Sequence, residues 1–299
     1  MVFSHAMSKL KAIWELMRLE HGVMIALGIL VGSLIAQKTF PAIDKFILTF
    51  CTALFLEAST FALNDYYDLE IDRRNKRRDR PLVRGDLAPK TALYLFFFFF
   101  PLGILCSFFV NWTCFLIALI TALFAIFYDA VLKKIKLLGN FFIAYVMAIP
   151  FVFGGAAVVE MNMSLLSLNP AIFIVAFIAF LAGSGREIMK DVMDYEGDRL
   201  QGVKSFPRYI GERASNMVAA LFYITAIVFS FVPFFLQQYE MYYQNMWYLV
   251  LVVLCDTMLL GTSIQLLVKK KVNMKYHRKF TLLAIFLGLL AFLVGAFLR

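Results

Sequence analysis

Acidic and amide side chains are concentrated in one short stretch, residues 64–72, which directly follows a long apolar run. In a helix each residue turns by about 100°, so three carboxylates and one amide of this stretch would share one face. Carboxylates one turn apart repel each other unless a cation lies between them. Mg²⁺ binds a few carboxylate oxygens and completes its shell with water and substrate phosphates. The stretch therefore predicts a magnesium-held phosphate, with these residues on the shared face: Asn64, Asp65, Asp68 and Asp72.

The same acidic pattern recurs at a constant offset of 126 residues. Seven identical residues within 21 positions, without a gap, indicate an internal duplication of the chain. We expect both acidic sets to face one phosphate group, and the basic run that follows the first set to bind the remaining phosphate charge. The matched pairs are Asp65 with Asp191, Asp68 with Asp194, Glu70 with Glu196, Asp72 with Asp198, Arg73 with Arg199, Pro81 with Pro207 and Gly85 with Gly211.

The composition excludes a soluble globular protein. It is 62% hydrophobic and 16% charged, with a mean hydropathy of +0.79, whereas soluble domains are about 45–50% apolar. The four cysteines lie in apolar runs without a CxxC spacing, which argues against a zinc site or a disulfide framework. The chain is therefore predicted to be an integral membrane protein, and we expect no nucleic-acid partner.

Nine apolar runs have about the 20-residue length that a helix needs to cross a bilayer. The predicted fold is all-α, with nine transmembrane helices in a bundle around a central cavity. We expect a single domain of residues 1–299 that contains four-helix pseudo-repeats at approximately 44–159 and 170–298. The predicted spans are residues 22–37, 44–64, 91–110, 112–129, 139–159, 170–186, 214–236, 246–268 and 280–298.

The basic residues predict the orientation of these spans. Of the 29 Lys and Arg residues, all but Lys38, Lys45 and Arg299 lie at the amino terminus or after an even-numbered span. Because cytoplasmic loops carry the excess of Lys and Arg, we expect a multi-pass protein of the cell membrane with a cytoplasmic amino terminus. Both acidic motifs would then lie at the cytoplasmic mouth of the bundle.

Further polar residues near the motifs have two interpretations each. Glu57 would lie two turns deeper on the face of the first motif, where an acid is either functional or a hydrogen-bonded packing residue. Tyr128, Lys133 and Lys134 come at the end of the fourth span, where lysines either bind substrate or only anchor the helix.

The motifs NDYYDLEID and KDVMDYEGD, in a chain of nine predicted spans, resemble those of the UbiA superfamily of intramembrane prenyltransferases. The resemblance implies a Mg²⁺-dependent enzyme that moves a prenyl group from a prenyl diphosphate donor to a lipid or aromatic acceptor. It also implies that Asp65 orients the ligands or binds basic neighbours. The Mg²⁺ ligands that it implies are Asn64, Asp68, Asp72, Asp191, Asp194 and Asp198.

The resemblance extends to residues that would bind substrate. The family's RxxRPL element is present here, as is its Tyr-x-x-x-x-Lys element, although Lys134 occupies a position where Arg is common. The amino-terminal Arg18 is followed by a sequence that departs from the family's Arg-Pro-x-Asn form. The candidate substrate-binding residues are Arg18, Glu57, Arg77, Arg80, Tyr128, Lys133, Lys134 and Lys190.

The second motif is most similar to archaeal members that join geranylgeranyl diphosphate to geranylgeranylglyceryl phosphate as an ether, and that activity is the expected function. Prenylation of an aromatic precursor of quinones or tocopherols is the alternative, because such members share a similar motif. A cation-coupled transporter is a remote alternative, since it also uses carboxylates and repeats within a membrane bundle. The oligomeric state is left open.

Overall fold

The structure, a computed structural model, describes residues 2–74, 76–131, 135–159, 167–200, 202–269 and 272–298. These residues form helices joined by short connections, with no strand among them. The α-helices are α1 (Val2–Met17), α2 (Gly22–Gln37), α3 (Ile43–Arg74), α4 (Pro81–Arg84), α5 (Pro89–Val110), α6 (Trp112–Ala130), α7 (Lys136–Val158), α8 (Pro170–Leu200), α9 (Phe206–Ser230), α10 (Val232–Phe235), α11 (Met246–Val268) and α12 (Met274–Phe297), and a 3-10 turn, Leu19–His21, precedes α2.

Nine helical segments within the described residues are long and apolar enough to cross a membrane, as the sequence predicts. The division between the third and fourth spans falls at Asn111, whose side-chain oxygen accepts a hydrogen bond from the Cys114 amide at 2.7 Å. This contact caps the start of α6. The protein is therefore a multi-pass, all-helical membrane protein.

The two acidic motifs lie at the ends of the two longest helices. Helix α3 has 32 residues and α8 has 31, so each is about 46–48 Å long, whereas the hydrocarbon core of a bilayer is about 30 Å thick. Neither motif contains proline, and both continue the helix that precedes them. The prediction that each acidic set shares a helix is confirmed.

The first of two compact units comprises Met1–Ala26 and Ala42–Ala130. In this unit α3 packs mainly on α5, and α1, α4 and α6 also contact it. A methyl group added to Gly103 would lie 2.8 Å from a side-chain carbon of Leu56, so small residues permit the close approach of α3 and α5. At the motif end of α3, the buried Leu16, Leu69 and Leu82 form an apolar cluster beneath the acidic residues.

The second unit comprises Leu27–Pro41 and Val131–Arg299. Here α8 packs between α7 and α9, while α11 contacts α9 and α12. A methyl group added to Gly183 would lie 3.3 Å from Cα of Ala144 on α7. One added to Gly185 would lie 3.0 Å from the carbonyl oxygen of Ala219 on α9. These glycines therefore let both neighbours approach α8 closely.

The local structure after each motif is similar. Pro81 and Pro207 each lie in the first turn of a helix, and Gly85 and Gly211 follow with φ angles of 81° and 79°. Proline suits a first helical turn, and a positive φ favours glycine. The larger four-helix repeat, the central cavity and the single domain of residues 1–299 stay predictions from the sequence.

Candidate active site

The first acidic cluster is held by arginines from two different segments. Asp65 is 2% exposed, and its Oδ1 lies 2.9 Å from Arg18 Nη2 and 3.3 Å from Arg80 Nη1. Arg80 Nε also lies 3.6 Å from Asp72 Oδ2. The two guanidinium groups compensate the charge of carboxylates that burial would otherwise destabilise. Asp68, one turn from each of these carboxylates, is half-buried.

Asn64 is oriented by a residue that the sequence analysis did not select. Its Nδ2 donates a hydrogen bond to Asp129 Oδ1 at 2.5 Å, and Asp129 lies at the end of α6 beside the half-buried Tyr128. Because the amino end of the amide faces Asp129, its carbonyl oxygen faces the other way. That oxygen is the atom which a hard cation would bind.

The amino-terminal segment covers the deeper part of the same face of α3. Arg18 has a φ of 50°, a left-handed conformation that turns the chain after α1. Its guanidinium carbon lies 4.1 Å from the centre of the Phe61 ring, a cation–π contact. His21 Nδ1 lies 3.3 Å from Glu57 Oε1. Burial lowers the pKa of Arg18, the nearby Arg80 lowers it further, and Asp65 opposes both effects.

Arg77 has a carboxylate partner in its own loop. Its Nε and Nη2 donate to the two oxygens of Asp79, both at 2.9 Å. This hydrogen bonding holds the pKa of Asp79 at about 2. Both side chains are exposed, and an exposed ion pair of this kind contributes at most about 1 kcal/mol. An arriving phosphate could therefore replace Asp79 at little cost.

The second acidic cluster uses a lysine and an asparagine from α7. Asp191 is 2% exposed, and its Oδ2 accepts hydrogen bonds from Asn140 Nδ2 at 2.8 Å and from the Phe206 amide at 3.4 Å. Lys136 Nζ lies 3.6 Å from Asp191 Oδ1 and 2.5 Å from Asp198 Oδ2. Asp194 is exposed on the same helix. Two carboxylates of the motif thus share one ammonium group.

Both clusters have the donor chemistry that Mg²⁺ prefers, carboxylate and amide oxygens. Within the described ranges, no three His, Cys, Asp or Glu side chains converge as a metal site. The carboxylates are instead paired with arginine, lysine and amide groups. The set of donors fits Mg²⁺, and the basic partners would be available to phosphate oxygens.

The other predicted residues are placed as follows. Lys190 Nζ lies 2.6 Å from Glu187 Oε2, one turn before the second cluster. Lys133 and Lys134 lie outside the described residues. The roles predicted for all the site residues stay predictions. Three residues that the sequence motifs do not single out contact the motif side chains: Asp129, Lys136 and Asn140. Lys136 and Asn140 are four residues apart at the start of α7, a spacing that places them on one helix face.

These features define an intramembrane protein whose two motif-bearing helices each carry carboxylates paired with basic groups. Residues 25–290 match the UbiA prenyltransferase family, and the chain belongs to this family of enzymes. The family predicted from the two motifs is thus confirmed, and an enzyme is favoured over a transporter.

Relatives of similar length extend the comparison. The chain is 40% identical over 292 residues to digeranylgeranylglyceryl phosphate synthase from Archaeoglobus fulgidus, covering 96% of each protein. It is 30% identical to the synthase of that name from Pyrococcus horikoshii, covering 97% of this chain and 98% of the relative. For the one from Methanosarcina mazei the identity is 33%, covering 94% of this chain and 96% of the relative.

Solved structures share the fold. One, of a digeranylgeranylglyceryl phosphate synthase, is 33% identical with a TM-score of 0.76 and covers 96% of this chain and 98% of its own. An apo UbiA homologue from Aeropyrum pernix is 19% identical with a TM-score of 0.76, over 93% of this chain and 97% of its own. A UbiA homologue from Archaeoglobus fulgidus, bound to DMAPP and Mg²⁺, is 17% identical with a TM-score of 0.61, over 94% and 99% of the two chains.

Proposed function

We propose that the protein transfers the geranylgeranyl group of geranylgeranyl diphosphate to geranylgeranylglyceryl phosphate, which forms the second ether bond of archaeal membrane lipids. The observation that carries this proposal is the similarity, over nearly the whole chain, to three synthases with this name at 30–40% identity. The two acidic clusters and their basic partners are consistent with a diphosphate donor.

Mg²⁺ would be held by carboxylate and amide oxygens of both motifs. When bound, it supplies Lewis-acid stabilisation of the negative charge that develops on the leaving diphosphate. Arg80 and Lys136, which contact the motif carboxylates, add cationic hydrogen-bond donors for phosphate oxygens. The proposed ligands are Asn64, Asp68, Asp72, Asp191, Asp194 and Asp198.

The transfer exchanges one carbon–oxygen bond for another. The bond between the allylic carbon and the diphosphate breaks, and its electron pair leaves with the diphosphate. The glycerol hydroxyl oxygen forms the new bond to that carbon and loses its proton. Aromatic faces stabilise allylic cations and exclude water. In the second unit the backbone amide of Phe206 binds the Asp191 carboxylate, and the ring of Phe206 packs edge to face on the ring of Phe141, with the ring centroids 6.2 Å apart.

We place the motif-bearing helix ends and the amino terminus on the cytoplasmic side, because nearly all basic residues belong to the loops of that side. Soluble, charged prenyl donors would then reach the diphosphate site from the cytoplasm, while their apolar chains enter the membrane. Residues 1–299 would act as one catalytic domain.

An acceptor-competition experiment tests this function. Purified protein with Mg²⁺ and geranylgeranyl diphosphate is offered geranylgeranylglyceryl phosphate, 4-hydroxybenzoate or homogentisate in separate reactions. We expect ether formation with the lipid phosphate and no product with either aromatic compound. Transfer to an aromatic ring alone would reject the lipid function in favour of the aromatic alternative.

A further inference from the structure

Three charged residues of α8 lie before or at the start of the second acidic motif, and the corresponding positions of the first motif and its helix hold no charged residue. Arg186, Glu187 and Lys190 correspond, at the offset of 126, to the neutral residues Thr60, Phe61 and Asn64. The acidic residues shared by both motifs suit a symmetric task such as binding metal. Charges present on one side only suit a ligand that binds on one side only.

The three charged side chains form a compact triad. Glu187 Oε1 lies 3.2 Å from Arg186 Nη1, and its Oε2 lies 2.6 Å from Lys190 Nζ. The side chains of Arg186 and Glu187 are only 12% and 9% exposed. Two cations and one anion leave a net positive charge at this buried position. Glu187 holds the two cations close together, where they would otherwise repel each other.

The guanidinium of Arg186 keeps unused hydrogen-bonding capacity. Within the described part of the chain, its Nε is buried from solvent and makes no hydrogen bond. A buried donor without a partner costs about 1–3 kcal/mol, and such atoms call for an explanation. Arginine presents its N–H groups as a rigid fork that matches phosphate oxygens.

Arg186 and Glu187 lie on the membrane side of the second motif along α8. Arg186 is 16 residues after the start of α8 at Pro170, which is about 24 Å along the helix. If the hydrocarbon begins near Pro170, this position is still within its thickness of about 30 Å. Asp194 lies about 12 Å further along. Ionisable side chains at such a depth are by default candidates for a functional site.

This depth matches the geometry that the transfer requires, if the proposed function holds. The metal-held diphosphate lies at the motif end, and the allylic carbon lies on its membrane side. The acceptor hydroxyl must reach that carbon. The phosphate of the acceptor is attached to the glycerol carbon next to the one that carries this hydroxyl. We therefore expect the phosphate to need a cationic site on the membrane side of the motif carboxylates. Within α8, Arg186 lies five residues on that side of Asp191, and Lys190 directly precedes Asp191.

We propose that Arg186, positioned by Glu187 and assisted by Lys190, binds the phosphate of the acceptor and thereby selects a phosphorylated lipid over an uncharged one. The phosphate monoester carries between one and two negative charges at neutral pH. It would complete the charge balance of the triad and supply the acceptor for Arg186 Nε. This inference rests on the proposed function.

The test compares two acceptors that differ only in the phosphate, geranylgeranylglyceryl phosphate and geranylgeranylglycerol. We expect Arg186→Gln to raise the KM for the phosphorylated acceptor about 10- to 100-fold, the loss typical of one hydrogen bond to a charged group. The KM for geranylgeranyl diphosphate and the turnover of the uncharged acceptor should not change. Arg186→Lys keeps the charge but loses the planar guanidinium fork. We expect this variant to raise the KM for the phosphorylated acceptor by a smaller factor, again without a change in the KM for the donor or in the turnover of the uncharged acceptor.

Binding without turnover provides a second measurement. In the presence of EDTA, Arg186→Gln should bind geranylgeranylglyceryl phosphate more weakly than the wild type, and should bind geranylgeranylglycerol equally well. Arg213→Gln removes an exposed arginine of α9 and is the matched control, with unchanged values in every assay. Thermal unfolding in detergent shows whether each variant is folded. If Arg186→Gln does not fold, Arg186→Lys is compared with the wild type in the same assays.

The outcomes separate this inference from the proposed function. If the wild type does not prenylate geranylgeranylglyceryl phosphate, the proposed function fails and the inference falls with it. If the wild type does so and Arg186→Gln raises the KM for the donor, or weakens both acceptors equally, only the inference fails. Unchanged selectivity with lower thermal stability would assign the triad a structural role and would also overturn the inference.

Discussion

At the scale of single residues, the acidic motifs contain carboxylates with different tasks. Asp65 is buried between Arg18 and Arg80, whereas Asp68 is half-buried and Asp194 is exposed. A buried carboxylate with two arginine partners organises its surroundings, and a more accessible one is better placed to exchange partners. We therefore expect the same residue type to serve structure at one position and metal binding at another.

Asp68→Ala and Asp194→Ala should each lower kcat at least about 100-fold, the scale observed when one stabilising group of a catalytic site is lost. Both variants should unfold at the same temperature as the wild type in detergent, because neither side chain is fully buried. Prenyl transfer measured with radiolabelled donor checks the activity. Glu70→Ala is the control, since Glu70 is exposed in the same motif and forms an ion pair with the likewise exposed Arg73. Full activity in both aspartate variants would refute the metal assignment.

Asp65→Ala should instead destabilise the fold. The change leaves Arg18 and Arg80 facing each other without their shared carboxylate, and removing one member of a buried ion pair costs about 3–5 kcal/mol. We expect a clear fall in the unfolding temperature, which is measured by tryptophan fluorescence in detergent. A stability equal to that of Asp68→Ala would show that the arginines find other partners.

At the scale of helices, small residues decide how closely neighbours pack. Leu27–Gln37, the part of α2 in the second unit, contacts α7 through Gly32, where an added methyl group would lie 1.9 Å from the Phe151 carbonyl oxygen. Ser33 Oγ donates to the Gly154 carbonyl at 2.9 Å across the same contact. In membranes, where lipid is as apolar as the side chains, such close packing and hydrogen bonds drive helix association.

Gly32→Ala should therefore force α2 and α7 apart and destabilise the protein by about 1–3 kcal/mol or more, the usual cost of overpacking. Gly261→Ala on α11 is the matched control, because an added methyl group there meets no atom within 4 Å. Thermal unfolding of both variants in the same detergent gives the comparison. Equal unfolding temperatures would show that the α2–α7 contact relaxes without cost.

At the scale of the whole molecule, an odd number of spans predicts that the two chain termini lie on opposite sides of the membrane. The span count is observed for the described residues, and the distribution of Lys and Arg predicts which side is cytoplasmic. The long motif-bearing helices α3 and α8 are the second and the sixth of these spans. Their acidic ends would accordingly reach the same aqueous phase.

Reporter fusions test this topology. A fluorescent protein that folds only in the cytoplasm should be active when fused before Met1, and alkaline phosphatase, which needs the exterior, should be active when fused after Arg299. The reverse pattern would invert the orientation and move the proposed diphosphate site to the outside. Activity of the same reporter at both termini would contradict an odd number of spans.

Several properties of this protein are determined by short-range features of its sequence. Length and hydropathy of each run set the nine spans, and the residue types within 64–72 and 191–198 indicate metal and phosphate chemistry. Both depend on neighbours within a few helical turns, so a single chain is enough to find them. The family followed from the same two motifs.

The partners of the motif residues were decided only by the tertiary structure. Asn64 is oriented by Asp129, 65 residues away, and Asp198 is neutralised by Lys136, 62 residues away. The sequence shows that such groups exist, but it does not show which helices meet or how they rotate about their axes. Those choices come from the packing of small residues across whole helices, and they determine which charges become neighbours.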